Sequence, residues 1–157
     1  MVLEHDATNL TVPHASPRPL AASLVPLPGT ERGLRCPLSA HPRRPGWIAY
    51  GNGRDIVVRN VDGSGDPSFG PSVAPWDASL PGFVYRGHNA RVTSLAFAPS
   101  GAYVASGDER GNLRVWAADH PERLSKLELV AFGAPVSDVA WDGEGKRLAL
   151  CAATGSG

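Results

Sequence analysis

The chain has 157 residues, with 15 basic and 15 acidic side chains and a formal net charge of zero at pH 7. A neutral chain has no overall field to draw it to nucleic acid or anionic lipid, which argues against binding to either by bulk charge. No apolar run approaches the ~18 residues of a membrane-spanning helix, so the sequence predicts no membrane insertion.

The first segment, residues 1–23, lacks both the helical and the strand period, and we predict a flexible tail. Glu4 and Asp6 stand where a secretory signal needs positive charge, and no apolar core follows them. The sequence therefore predicts no cleaved signal and places the folded region in residues 24–157.

The next segment, residues 24–61, contains two short apolar patterns, Trp47–Gly51 and Ile56–Arg59, that predict strands of a first partial repeat. Residues 62–81 follow, and their Gly, Pro and Ser content predicts an irregular surface insertion. A local basic stretch precedes them, and we interpret it as a solvated loop because no aromatic residues or glycine-rich phosphate motif accompany it. It comprises Arg32, Arg35, Arg43 and Arg44.

Residues 82–132 form the best-defined repeat of the chain. Gly87 and His88 open it, Trp116 closes it, and short strand patterns lie between them. Residues 124–132 alternate again and predict an outer strand. In that outer strand we expect Leu127, Leu129 and Ala131 to point inward. In the first strand we place Leu95 and Phe97 on one face and Val92, Ser94 and Ala96 on the other.

The last segment, residues 133–157, begins the pattern again. Val136–Trp141 repeats Val92–Phe97 at a spacing of 44 residues, and Gly145 repeats Gly101 at the same spacing. That spacing lies within the ~40–45 residues of a WD repeat, which forms one blade of a β-propeller. The sequence therefore predicts an all-β fold of about two and a half blades of a WD-repeat propeller.

A closed propeller needs ~4–8 blades, because the faces of each blade are covered only by its neighbours. Two and a half blades leave two open faces and two unpaired edges. We therefore expect the chain to be a fragment of a longer protein or the product of an incomplete gene model.

WD repeats carry a buried hydrogen-bond chain of His, Ser or Thr, Asp and Trp. His88, Ser106 and Trp116 occupy three of its places, whereas the usual Asp place falls on Arg110. Asp108 lies two residues earlier, so the chain is either incomplete or completed by this offset carboxylate. We interpret His88 as structural, because no nucleophile motif, metal cluster or phosphate loop accompanies it. The sequence thus predicts no enzyme, no metal, no cofactor and no small-molecule substrate.

Three further stretches carry a family resemblance, and they are Leu27–Gly33, Tyr50–Asn60 and Ala98–Asp108 running on to Gly111–Trp116. They resemble the start of the actin-interacting protein 1 family, WD-repeat proteins that work with cofilin. The pair Arg59–Asn60, where a first-repeat Trp would stand, also agrees with that family. The resemblance covers roughly residues 24–152.

The resemblance implies two linked seven-bladed propellers, with this chain as the N-terminal part of the first, in a cytoplasmic, cytoskeleton-associated protein. It also implies binding to actin filaments together with cofilin, and filament disassembly without catalysis. The alternative is a WD-repeat adaptor of another complex, such as a ubiquitin ligase or the anaphase-promoting complex. For partner contact we single out the exposed turns of a propeller rim. The residues are Arg86, Asn89, Asp108, Glu109 and Arg110.

Overall fold

The computed structural model describes residues 32–61, 82–118 and 125–153. The predicted tail, residues 1–23, and the predicted insertion, residues 62–81, lie outside these residues, as does most of the Leu27–Gly33 stretch. The described residues contain ten strands and no helix. The strands are β1 (Leu38–Ala40), β2 (Trp47–Asn52), β3 (Asp55–Asn60), β4 (Gly82–Tyr85), β5 (Val92–Phe97), β6 (Tyr103–Asp108), β7 (Asn112–Ala117), β8 (Ser125–Val130), β9 (Val136–Trp141) and β10 (Leu148–Ala152).

These strands form three antiparallel sheets in chain order. The first sheet contains β1 to β4, the second contains β5 to β8, and the third contains β9 and β10. Neighbours in sequence are neighbours in each sheet, which is the meander order of a propeller blade. The prediction of an all-β fold with about two and a half blades is confirmed.

The sheets are offset from the sequence repeats by one strand. Strand β4, which opens the repeat at residues 82–132, pairs with β3, and Val57 lies opposite Val84. The segment between Val61 and Gly82 therefore connects two adjacent strands of the first sheet. The second sheet begins only at Val92, after the Gly87–His88 pair.

A β-bulge changes the face assignment at the start of β5. The register shifts between Val92 and Ser94, so Val92 packs in the same cluster as Leu95 and Phe97. Our expectation that Val92 shares a face with Ser94 and Ala96 is wrong, because strict alternation fails wherever one strand gains an extra residue.

The main core lies between the first and second sheets. Trp116 is fully buried there, stacked on Tyr85 with ring centroids 4.1 Å apart and edge-on to Phe83 at 6.4 Å. Ile56 of β3 and Val104 of β6 are fully buried in the same cluster. Replacing such a Trp by Ala typically costs ~3–5 kcal/mol, so this ring anchors the docking of the two sheets.

A smaller core joins the second sheet to the third. Leu113 and Val115 of β7 pack with Val139 of β9. Leu127 and Leu129 lie opposite Val115 and Leu113 in the register, on the same face of the sheet, yet they are 41% and 40% exposed. Both leucines therefore lie on the inward face, as expected, but they stay partly exposed because the third sheet has only two strands among the described residues.

Side-chain hydrogen bonds also connect the sheets. Thr93 Oγ1 donates to the carbonyl of Val136 at 2.6 Å, which ties the second sheet to the third. The Phe97 amide donates to Ser39 Oγ at 3.2 Å and ties the second sheet to the first. Each sheet is therefore held by directed contacts as well as by apolar packing.

His41 is wedged between the first two sheets. Its ring centroid lies 4.9 Å from that of Phe97. Burial is the main cause that lowers its pKa to about 4, and the nearby Arg44 charge lowers it further, against a hydrogen bond that the ring donates to the Gly101 backbone. The imidazole is therefore neutral in the folded protein under conditions that protonate it in the unfolded chain.

The protonation of His41 gives the first prediction. Since its folded pKa is about 4 and its unfolded pKa 6.5, its contribution to stability is complete above pH 6.5 and is lost as the pH falls towards 4. Between these limits the wild type should lose more of its free energy of unfolding than His41→Gln does. Denaturant titrations at several pH values measure both slopes, and equal slopes would contradict this role of His41.

Gly111 in the β6–β7 turn gives the second prediction. Its φ is +83°, and an added Cβ would lie 1.9 Å from the carbonyl oxygen of Phe132. Gly111→Ala should therefore lower the free energy of unfolding by more than the ~1–2 kcal/mol of a left-handed residue alone. Denaturant unfolding measures the loss.

Two other glycines serve as matched controls for Gly111. Gly53→Ala has a φ of +61° but open space around the new Cβ, so only the conformational strain applies. Gly133→Ala has open space and no positive φ, and should stay within about 0.5 kcal/mol of wild type. The expected order of destabilisation is Gly111, then Gly53, then Gly133, and any other order counts against the contact with Phe132.

Candidate functional site

Four polar side chains meet beneath the loop that joins the first two sheets. Trp116 Nε1 donates to Ser106 Oγ at 3.3 Å, Ser106 Oγ lies 2.7 Å from His88 Nε2, and His88 Nδ1 lies 3.1 Å from Asp108 Oδ2. We call these four residues the polar relay. Each is at most 3% exposed. The relay joins the loop before β5 to the adjacent strands β6 and β7.

One arrangement of protons satisfies every group in the relay. Asp108 as a carboxylate only accepts, so His88 donates to it from Nδ1. Nε2 of the neutral ring then accepts the hydroxyl proton of Ser106, whose oxygen accepts from Trp116. A second proton on His88 would leave the Ser106 hydroxyl without its acceptor. The relay therefore requires a neutral imidazole.

The electrostatics of the buried pair agree with that arrangement. Burial is the main cause that lowers the pKa of His88, and the hydrogen bond and charge of Asp108 only partly oppose it. For Asp108, burial alone would raise the pKa. Hydrogen bonds from Asn112, His88 and the Arg110 amide more than offset this and hold the pKa of Asp108 below its usual range.

Asp108 also shapes the turn that follows it. Its Oδ1 accepts from the Arg110 amide at 2.9 Å and from the Asn112 amide at 3.0 Å, and the Asn112 side chain donates to both carboxylate oxygens. A carboxylate that bonds the backbone two residues onward is an Asx turn. This local geometry explains how a carboxylate two places early still reaches His88.

The relay does not offer a reaction centre to a substrate. Both ring nitrogens of His88 have internal partners, and the ring is shielded from solvent. In residues 32–61, 82–118 and 125–153 there is no group of three or more His, Cys, Asp or Glu side chains that could hold a metal ion. The same ranges contain no helix both long and apolar enough to span a bilayer.

The residues singled out for partner contact lie around the relay, at one end of the sheets. This end carries the β2–β3 turn, residues 86–91 and the β6–β7 turn, and we call it the His88 rim. Arg86, Asn89, Glu109 and Arg110 are exposed there. Asp108 is 1% exposed, with both carboxylate oxygens bonded internally, so its selection as a contact residue is wrong.

The sequence reading missed other residues of the His88 rim. Arg91 Nη2 donates to the carbonyl of Arg35 at 3.3 Å, and the Val92 amide donates to the carbonyl of Gly53, beside Arg54. Arg35 thus lies far from Arg43, whose Nε donates to the carbonyl of Pro99 at the other end of the sheets. No pattern along the chain signals this grouping, because the packing of the first sheet against the second creates it.

Comparison with known proteins identifies the repeat. The family model for the WD domain, G-beta repeat, matches residues 80–117, which contain the whole polar relay. The chain is a WD-repeat protein. One solved structure with the same fold is a chain of a mitotic checkpoint complex, with a TM-score of 0.55 and 21% sequence identity. The matched region covers 74% of this WD-repeat chain and 32% of the chain in the solved structure. At 21% identity the likeness shows the fold alone.

The WD-repeat chain is also similar in sequence to several named proteins. WD repeat-containing protein 1-B of Xenopus laevis is 33% identical over 124 residues, which is 79% of this chain and 18% of the relative. The rat WD repeat-containing protein 1 is 34% identical over the same shares. Actin-interacting protein 1 of Drosophila melanogaster is 31% identical over 122 residues, 78% of this chain and 17% of that protein. The resemblance to the actin-interacting protein 1 family is confirmed, and the chain spans less than a fifth of these curated relatives.

The polar relay gives the third prediction. Asp108→Ala removes the acceptor for His88, Asn112 and the Arg110 amide, and buried groups left without partners cost ~1–3 kcal/mol each. The free energy of unfolding should fall by at least ~2 kcal/mol, as measured by denaturant titration. The neighbouring Glu109→Ala, at an exposed position, should change it by less than about 0.5 kcal/mol. Equal effects of the two substitutions would contradict the role assigned to Asp108.

Proposed function

We propose that this WD-repeat chain is part of a non-enzymatic scaffold that binds actin filaments together with cofilin and promotes their disassembly. The observation that carries the proposal is the identity of 31% to 34%, over about four fifths of the chain, to proteins named WD repeat-containing protein 1 and actin-interacting protein 1. The role of cofilin rests on the family resemblance of the sequence. A cytoplasmic, cytoskeleton-associated location belongs to the same proposal.

The absence of catalysis in this proposal is supported by the chemistry of the relay. WD-repeat proteins are generally protein-interaction scaffolds. The best-placed histidine, His88, is held neutral by burial and has internal hydrogen bonds at both nitrogens. A general base must reach a substrate proton, and a ring enclosed in this way has no path to one.

The contact surface that we propose is the His88 rim. The relay below its turns bonds His88 and Asp108, and Arg86, Asn89, Glu109 and Arg110 extend from those turns. A preorganised surface loses little conformational entropy when it binds. Arg86 is partly restrained by Asp55, at 3.7 Å from its Nε, and Glu109 Oε1 accepts from the Arg91 amide at 3.4 Å.

The adaptor alternative receives no support from the relatives. The names of the three relatives mention WD repeats or actin. The likeness to a chain of a mitotic checkpoint complex shows the fold alone.

Filament binding gives the fourth prediction. The chain should sediment with cofilin-decorated actin filaments and much less with bare filaments, because the proposed surface recognises both proteins together. Cosedimentation with purified components measures the bound fraction. The triple variant Arg86→Ala, Asn89→Ala, Arg110→Ala should lower that fraction.

The matched control changes the opposite end of the sheets. Lys146→Ala with Arg147→Ala alters exposed cations in the β9–β10 turn and should leave sedimentation near the wild-type level. Circular dichroism should show that all variants are folded. Absence of cofilin-dependent sedimentation in the folded wild-type chain would reject the proposed function.

A further inference from the structure

The His88 rim gathers arginines from separate parts of the chain. They come from the segment before β1, the β2–β3 turn, both ends of the 86–91 loop and the β6–β7 turn, and they are Arg35, Arg54, Arg86, Arg91 and Arg110. All are exposed except Arg91, which is partly buried. The whole chain is neutral, with 15 basic and 15 acidic side chains, and these five arginines lie at one end of the sheets.

Backbone contacts show that these arginines form one continuous surface. Arg91 Nη2 donates to the carbonyl of Arg35 at 3.3 Å. The next residue, Val92, donates its amide to the carbonyl of Gly53 at 2.9 Å, which brings the Arg54 turn alongside. On the other side, the Glu109 amide donates to the carbonyl of Arg91 at 2.9 Å and sets Arg110 beside it. Three sequence-distant segments therefore flank Arg91.

A small cavity opens beside Arg35. Its volume is about 260 Å³, and its lining includes Arg35, Thr93, Ser94 and Asp138. Ser94 is 3% exposed, and its hydroxyl is buried without a hydrogen-bond partner among the described residues. The hydroxyl itself is enclosed, so the lining side chains that a partner can reach are the exposed Arg35 and Asp138.

We propose that the His88 rim docks an acidic polypeptide segment, whose carboxylates pair with its arginines. The proposal rests on the proposed scaffold function and names the chemistry of its partner. A planar guanidinium matches a carboxylate with two parallel hydrogen bonds, which gives direction as well as charge.

Carboxylates on the His88 rim favour a polypeptide over a nucleic acid or a lipid surface. Asp55 and Glu109 interrupt the arginines of the rim, and Asp138 lines the cavity beside Arg35, so there is no unbroken positive track for a phosphate backbone. None of the rim residues named here is aromatic, and base stacking on aromatic rings supplies much of single-strand binding. The fixed pattern of arginines and carboxylates suits an acidic segment whose carboxylates face the arginines, because like charges placed opposite one another select against wrong partners.

The test measures binding of a fluorescein-labelled oligoglutamate peptide to the full chain by fluorescence anisotropy. Arg54→Glu with Arg110→Glu should raise the dissociation constant by roughly tenfold or more, because two cations become repulsive. Lys146→Glu with Arg147→Glu, on the opposite end, should change it by less than about twofold. Added salt should weaken wild-type binding.

An isosteric variant tests the same surface by a change that should strengthen peptide binding. Asp138 is exposed and lines the cavity beside Arg35, and its Oδ1 accepts from the Val139 amide, a bond that asparagine keeps. Asp138→Asn should tighten peptide binding by about twofold, because it removes a repulsive carboxylate. General loss of folding would weaken binding in every variant, so a gain here separates charge from stability.

Several outcomes would overturn the proposal. They are no peptide binding by the wild type, equal weakening in the two double variants, or tighter binding to a single-stranded oligonucleotide or to phosphatidylserine vesicles than to the peptide. Sedimentation with actin and cofilin is measured in parallel. Sedimentation without peptide binding supports the proposed function and rejects the acidic partner. Peptide binding without sedimentation supports the acidic surface and rejects the proposed function.

Discussion

The structure depends on one packing constraint, which is that each sheet is covered only by its neighbours. The second sheet satisfies it on both sides, with Trp116 facing the first sheet and Val115 facing the third. Every other feature follows from that arrangement. The inner strands β5 and β6 carry mostly buried side chains on both faces, and the turns at the ends of the strands become the surface available to partners.

The polar relay links this packing to the surface. Trp116 belongs both to the core and to the relay, because its ring stacks on Tyr85 while its Nε1 bonds Ser106. At the other end of the relay, Asp108 fixes the β6–β7 turn through Arg110 and Asn112. A tryptophan at the centre of the core is thus connected, through hydrogen bonds, to the turn that carries an exposed arginine.

Much of the fold could be predicted from the sequence, because each strand of a WD repeat has a recognisable local pattern of apolar and turn residues. The 44-residue spacing of Val92 and Val136 marked equivalent strands that the structure contains as β5 and β9. Features that depend on a single extra residue or on a missing neighbour could not be predicted in the same way. The bulge after Val92 reverses its face, and Leu127 is exposed although its pattern is that of a covered strand.

The residues of the candidate site also fall into those that the sequence predicts and those that it does not. His88, Ser106 and Trp116 stand at recognisable places in the repeat. The offset of Asp108 is explained by the Asx turn, in which its carboxylate bonds both His88 and the Arg110 amide. The grouping of Arg35 with Arg91 has no counterpart in the linear pattern, since 56 residues separate them and a hydrogen bond joins them. Sequence reasoning finds residues that act within one repeat and misses surfaces that two repeats build together.

The distribution of indole rings provides an optical consequence. Trp116 is fully buried between the first two sheets, whereas Trp141 lies partly buried between the second and third, with its Nε1 bonded to the carbonyl of Ala96 at 3.1 Å. Indole emission shifts to longer wavelength in water. Versions of the chain that keep one of these fluorophores would report separately on the opening of each inter-sheet seam, and would show whether the seams part together or in sequence.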